Sequence, residues 1–183
     1  MFDGKDKVKG AEAQAQLDMF YKYASGTTGQ PITEDPNFDI EVRSDGLYIT
    51  QKHAYACLQI SGIKDRFLPE FQIKYFDGRL DIEKNNITSL EGIFAPDCVF
   101  KGVLMIVRNK NLQSLEGCPE RIYKSDNNPR LGPGLTVSEN DNLSSFNGFP
   151  AGIGLRDLWW NDNAKIDIQD PTFKRLLKKH IKK

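Results

Sequence analysis

The chain carries few side chains of the kinds that do acid–base or nucleophilic chemistry, and their spacing does not gather them. There are two histidines, His53 and His180, and three cysteines, Cys57, Cys98 and Cys118. A catalytic imidazole needs convergent partners. His180 lies within "KKHIKK", where a solvated ring is the simpler reading, and His53 just precedes a strand-like run. Three widely spaced cysteines without a CxxC pair argue against a disulfide framework and against zinc, and point to a reducing cytoplasm. The acid-rich "PITEDPNFD" lacks the spacing of a calcium loop and reads as a polar linker. No GxxxxGK[ST], GxGxxG after a strand, HExxH or GxSxG is present. The expectation is a protein that is not an enzyme, with no cofactor and no metal.

Charge is the next chemistry to weigh. Formal net charge is zero, with 25 bases and 25 acids. The last thirteen residues, "PTFKRLLKKHIKK", hold six bases (Lys174, Arg175, Lys178, Lys179, Lys182 and Lys183) and no acid, so the first 170 carry a net charge of −6. A basic segment of this kind can bind RNA, DNA or anionic lipid. It also reads as the solvated face of a helix with bases placed favourably at its C-terminus, and it lacks interleaved aromatics for base stacking. The longest apolar run, Val103–Val107, is too short to span a bilayer, and the N-terminus has no apolar core of a secretory signal.

The asparagines carry the pattern. "YFDGRLDIEKNNITSLEG" (75–92) superposes on "VFKGVLMIVRNKNLQSLEG" (99–117). Phe76 meets Phe100, Gly78 meets Gly102, Leu80 meets Leu104, Ile82 meets Ile106 and Asn85 meets Asn109. After a one-residue insertion, "ITSLEG" meets "LQSLEG". A third copy, "GLTVSENDNLSSFNG" (134–148), places Leu135, Val137, Asn140, Leu143, Phe146 and Gly148 alike. A weaker fourth, "LWWNDNAKI", does so with Leu158, Trp160, Asn163 and Ile166. "IYKSDNNPRL" fits in part, at Ile122, Lys124 and Asn127, as a degenerate repeat or an insert. Cys118 takes the place of Ile93 and Phe149, so it reads as a small core residue.

This motif, L-x-[IV]-x-x-N-x-(N)-[LI]-x-S-[LF]-x-G, resembles the leucine-rich repeat, whose core is LxLxxNxL. The tails "LQSLEGCP" and "LSSFNGFP" are most similar to the short bacterial type. Degenerate repeats of this kind are also similar to those in proteins of tailed bacteriophages. The resemblance covers residues 75–166, about half the chain. It departs from the family at the residue inserted before Leu112 and Leu143, and at the 31-residue step from Leu104 to Leu135. It implies a parallel-stranded solenoid that binds a protein, and for a phage-borne chain, modulation of a host protein in the host cytoplasm.

The residues support a solenoid without the family. Leu80/Ile82, Leu104/Ile106 and Leu135/Val137 alternate with other residues, which is strand periodicity. One strand per repeat cannot bury its own face, whereas stacked copies share a continuous core. Each coil must turn after its strand, and buried backbone groups at that turn need partners; an Asn amide both donates and accepts. Asn85, Asn109, Asn140 and Asn163 are therefore expected to form a buried ladder. Gly92, Gly117 and Gly148 are expected at tight turns on the return path.

The flanks read as caps. Residues 5–24 predict a helix with Leu17, Phe20, Tyr21 and Ala24 on one face. "FDIEVRSDGLYIT" predicts a hairpin, and "AYACLQI" a further strand. "DPTFKRLLKKHIKK" predicts a C-terminal helix capped by Asp170, with Phe173, Leu176, Leu177 and Ile181 as its apolar stripe. The predicted fold is α+β. An N-terminal helix and linker (1–30) and a β-rich cap (31–74) precede the solenoid (75–168), and a basic helix (169–183) follows it.

Residues flanking the core positions of each strand point to the opposite face. They are Asp81 and Glu83, Met105 and Val107, Thr136 and Ser138, and Trp159 and Asn161. Exposed Met, Val and Trp suit a protein contact. The competing expectation is that the N-terminal segment or a second subunit covers this face. The expected role is a protein-interaction module of unspecified partner; the alternative is a nucleic-acid- or membrane-associated factor acting through the basic C-terminal helix.

Overall fold

The computed structural model describes residues 4–26, 29, 31–64, 70–153, 156–161, 163 and 175, with side chains excepted for 4–13 and 34. Among the described residues, helix α1 (Gly4–Tyr23) is followed by nine strands: β1 (Ala24–Ser25), β2 (Phe38–Arg43), β3 (Gly46–Gln51), β4 (Leu58–Ser61), β5 (Ile73–Glu83), β6 (Phe94–Val107), β7 (Ile122–Tyr123), β8 (Gly134–Ser138) and β9 (Leu158–Asn161). Strands β4, β5, β6, β8 and β9 pair in parallel, in that order, as a β-solenoid of about 4 turns.

The register is that of the sequence repeat. Leu58, Leu80, Leu104, Leu135 and Leu158 stand side by side, as do Ile60, Ile82, Ile106, Val137 and Trp160. Most of these side chains are fully buried, because each coil lends its neighbour the apolar surface that one strand lacks. Phe76 and Phe100 stack with ring centres 5.0 Å apart. On the return path, Leu90 and Leu115 are buried beside turns at Gly92, Gly117 and Gly148, which all have φ near +80°. A Cβ on Gly148 would sit 2.0 Å from the Leu115 carbonyl oxygen, so the turn admits no side chain.

The asparagine ladder runs unbroken through four coils. Asn85 Oδ1 accepts from the Ile63 N–H at 3.0 Å, and Asn85 Nδ2 donates to the Ile60 carbonyl at 3.0 Å. Asn109 repeats the pattern with the Asn85 N–H and the Ile82 carbonyl, at 3.0 and 2.9 Å. Asn140 does so with the Asn109 N–H and the Ile106 carbonyl, both at 3.0 Å. Asn163 closes the series on the Asn140 N–H at 3.1 Å and the Val137 carbonyl at 2.8 Å. Each amide thus satisfies one donor and one acceptor of the coil before it, within the buried core.

Four expectations change. The helix stops at Tyr23, and Ala24–Ser25 pairs antiparallel with Ile60 and Gln59. The edge of β4 offers backbone partners at that point, and β1 covers it. The hairpin forms as expected, with Phe38 opposite Gln51 and Arg43 opposite Gly46. "AYACLQI" is a strand only from Leu58 onward. That strand is also the first coil of the solenoid rather than part of a cap: Ile63 occupies the ladder position, so no asparagine marks it. Finally, the long step after Leu104 is an insertion. Ile122 pairs with Phe100, 22 residues earlier, and Leu135 with Leu104, 31 residues earlier, so nine extra residues loop out between β7 and β8. The predicted C-terminal helix lies outside the described residues except Arg175, which is helical and exposed.

Candidate functional site

Alternation along the strands leaves two rows on the outer face. Gln59, Asp81, Met105, Thr136 and Trp159 form one; Ser61, Glu83, Val107, Ser138 and Asn161 form the next. All eight residues expected at this face are therefore side by side on it. Met105, Val107 and Thr136 are half-buried, Asn161 is exposed, and Trp159 is 66% exposed. Ser138 is the exception to solvent exposure: it is 9% exposed, its short side chain sitting between Val107 and Asn161. The acids are already engaged. Asp81 accepts from the Arg79 guanidinium at 3.0 and 2.9 Å, and Glu83 accepts from Lys84 at 2.9 Å and from the Gln59 amide.

One end of the face is covered by the chain itself. The loop between β7 and β8 folds back over Asp77, which is fully buried. The Asp77 carboxylate accepts from Ser125 Oγ at 2.5 Å, from the Asp126 and Asn127 N–H groups at 3.2 and 3.4 Å, and from Asn127 Nδ2 at 3.1 Å. Lys101 pairs with Asp126 across the same loop. The loop also meets the segment between β3 and β4: Asn128 Nδ2 donates to the Ala54 carbonyl and Arg130 to the Tyr55 hydroxyl, both at 3.2 Å. At the end of that loop a pocket of about 310 Å³ opens beside Trp159, lined by Val103, Pro133, Leu135 and Leu158 and by the charged Arg156 and Asp157.

The thiols are not primed for chemistry. Burial, and then the Asp81 carboxylate, push Cys57 up to about 12; burial pushes Cys98 up to about 12 and raises Cys118 as well. Thiols so placed stay protonated at neutral pH and are poor nucleophiles. His53 is exposed, and its carbonyl accepts from the Gln51 amide at 2.5 Å. Among the described residues no group of three or more His, Cys, Asp or Glu could hold a metal ion, and no helix is long and apolar enough to cross a membrane. Of the basic residues expected at the C-terminus, Lys174, Lys178, Lys179, Lys182 and Lys183 lie outside the described residues, as does His180.

A second concave region escaped the reading of the sequence. Along the turn edge, beside the asparagine ladder, a groove of about 700 Å³ is lined by Lys64, Lys84, Arg108, Lys110, Asn86 and Asn111, with Glu139 and Asp141 at its far coil. The signal lay in the residues on either side of each ladder asparagine, "KNN", "RNK" and "END". Gln59 and Ser61 were missed for a different reason: their strand lacks the asparagine that marks the other coils.

No protein-family model, no curated protein and no solved structure matches the chain.

Proposed function

We propose that this protein is a non-catalytic interaction module, a short leucine-rich-repeat-like solenoid that takes a protein partner on the open part of its outer sheet face. The observation that carries the reading is the row Asp81, Met105, Thr136, Trp159, which ends in a tryptophan 66% exposed beside a pocket lined in part by Val103, Pro133, Leu135 and Leu158 and in part by Arg156 and Asp157. A large aromatic left in water next to apolar surface is a typical anchor for a protein contact. Met105 and Val107 extend the apolar surface, and Asn161 supplies a polar rim. The repeat core L-x-[IV]-x-x-N and its amide ladder support the leucine-rich-repeat likeness, and modulation of a host protein is the use that the phage resemblance implies. The protonated thiols support a role without covalent chemistry.

The test is a pull-down with the full chain from a lysate of the cell in which it works. Wild type is compared with Trp159→Ala/Met105→Asp and with a chain truncated after Asp170. Loss of a protein partner in the double variant alone supports the outer face. Salt-sensitive recovery of nucleic acid that disappears on truncation refutes it in favour of the basic C-terminal segment.

A further inference from the structure

The groove along the turn edge has a charge that its surroundings do not. The first 170 residues hold 19 bases and 25 acids, yet four of those bases, Lys64, Lys84, Arg108 and Lys110, line this one groove. They come from three successive coils, which together span about 10 Å at the spacing of neighbouring strands. Lys84 and Arg108 immediately precede Asn85 and Asn109 and have φ of 55° and 59°. That left-handed conformation disfavours side chains. The first coil places Gly62 there, with φ of 77°, but the next two carry a lysine and an arginine. Lys110 lies in the short segment where the third coil is one residue longer than the second, between the ladder asparagine and Leu112. On the second and third coils these positions carry cations, whereas on the fourth the same left-handed place is taken by Glu139, with φ of 55°, and the same extra residue is Asp141.

Those cations are accessible. Among the described residues, Lys64 and Lys110 form no ion pair. Lys84 and Arg108 are held by Glu83 and Glu139, both at 2.9 Å, through partly exposed bridges that are easily exchanged for another anion. Between the bases, Asn86 Nδ2 donates to the Lys64 carbonyl at 2.8 Å, and the Asn111 amide donates to Asn86 Oδ1. On the fourth coil Glu139 and Asp141 flank Asn140, so the basic stretch ends there.

We propose that this groove binds a small molecule carrying two or three linked phosphate groups. Charge-assisted hydrogen bonds from Lys and Arg are the usual means of holding phosphate. A groove of about 700 Å³ is of small-molecule size. The three-coil length matches a short phosphate chain, and the carboxylates at the far coil repel a longer polyanion that would run past it.

The probes are sodium tripolyphosphate, adenosine triphosphate and a hexaglutamate peptide, titrated calorimetrically into the full chain at 0.15 M salt. Saturable one-to-one binding of tripolyphosphate or the nucleotide is expected, weakened about tenfold or more in Lys64→Glu/Lys110→Glu. Tighter binding of the nucleotide than of tripolyphosphate names a nucleotide as the ligand; equal binding names the phosphate chain alone. Trp159→Ala/Met105→Asp binds the phosphates as wild type does, which separates this site from the outer face. Should the charge reversal unfold the protein, Lys64→Gln/Lys110→Gln decides, with at least about a threefold loss expected. No saturable binding of either phosphate probe, equal binding of hexaglutamate, or binding unchanged by the substitutions overturns the proposal.

Discussion

Asn109→Ala tests the device that holds the solenoid together. The Asn109 side chain is fully buried, accepts from the Asn85 N–H at 3.0 Å and donates to the Ile82 carbonyl at 2.9 Å. Truncation to alanine removes the partner of both backbone groups at a place where water has no ready access. A buried polar group left without its partner costs about 1–3 kcal/mol, so two such groups bound the loss at about 2–6 kcal/mol. A water entering the vacated space recovers part of this, and the expected loss is about 3 kcal/mol. For a chain of this length that corresponds to a fall in Tm of about 6–12 °C. The control is Asn111→Ala, two residues away and exposed, which is expected to change stability by less than about 0.5 kcal/mol. Urea unfolding followed by far-UV circular dichroism measures both. A loss below about 1 kcal/mol for Asn109→Ala, or one no larger than that of Asn111→Ala, refutes the ladder as a stabilising element.

Three further outcomes follow from the geometry. Asp77→Ala removes the acceptor of the Ser125 hydroxyl and of the Asp126 and Asn127 N–H groups; it is expected to cost about 2–4 kcal/mol and to speed amide exchange chiefly across residues 124–131, whereas uniform exchange across the sheet would count against a local lock. Gly148→Ala is expected to destabilise by more than about 2 kcal/mol, because its Cβ meets the Leu115 carbonyl, while Gly152→Ala, with φ of 77° but nothing within 4 Å, costs about 1 kcal/mol; thermal melts that rank the two the other way refute the close turn. Cys98 is raised to about 12 by burial, so above about pH 9 an unfolded chain releases this proton and the folded one does not. Stability is therefore unaffected by this group below pH 9 and falls by about 1.4 kcal/mol per pH unit from there toward 12. Cys98→Ala is expected to lessen the alkaline slope by about that amount and to leave the contributions of Cys57 and Cys118, and identical alkaline slopes in the two proteins would show that the thiol is not shielded.

Much of the fold was legible because the repeat writes its register into the sequence. Leucine and isoleucine two apart, an asparagine three beyond and a glycine on the return path each answer one physical demand of a stacked coil, so three copies sufficed to align β5, β6 and β8. The limits of legibility are equally physical. The β4 coil was hidden because Ile63 takes the ladder place and supplies only its backbone N–H, which is all the first rung needs from it. The helix boundary at Tyr23 was misplaced because Ala24 has high helix propensity, and only the open edge of β4 draws it into a strand. The outer-face residues were found by alternation, but whether they were covered depended on a loop whose anchor, Asp77, lies some 50 residues earlier in the chain.

The sequence by itself determined the period, the inward and outward sides of each strand and the identity of the ladder residues, because these follow from local alternation and from the need to satisfy buried backbone groups. Only the tertiary structure decided which surfaces stay open. Asp77 and Ser125 meet because the insertion between β7 and β8 folds back across two coils. Lys64, Lys84, Arg108 and Lys110 share one groove because stacking converts a separation of twenty or more residues along the chain into one strand spacing.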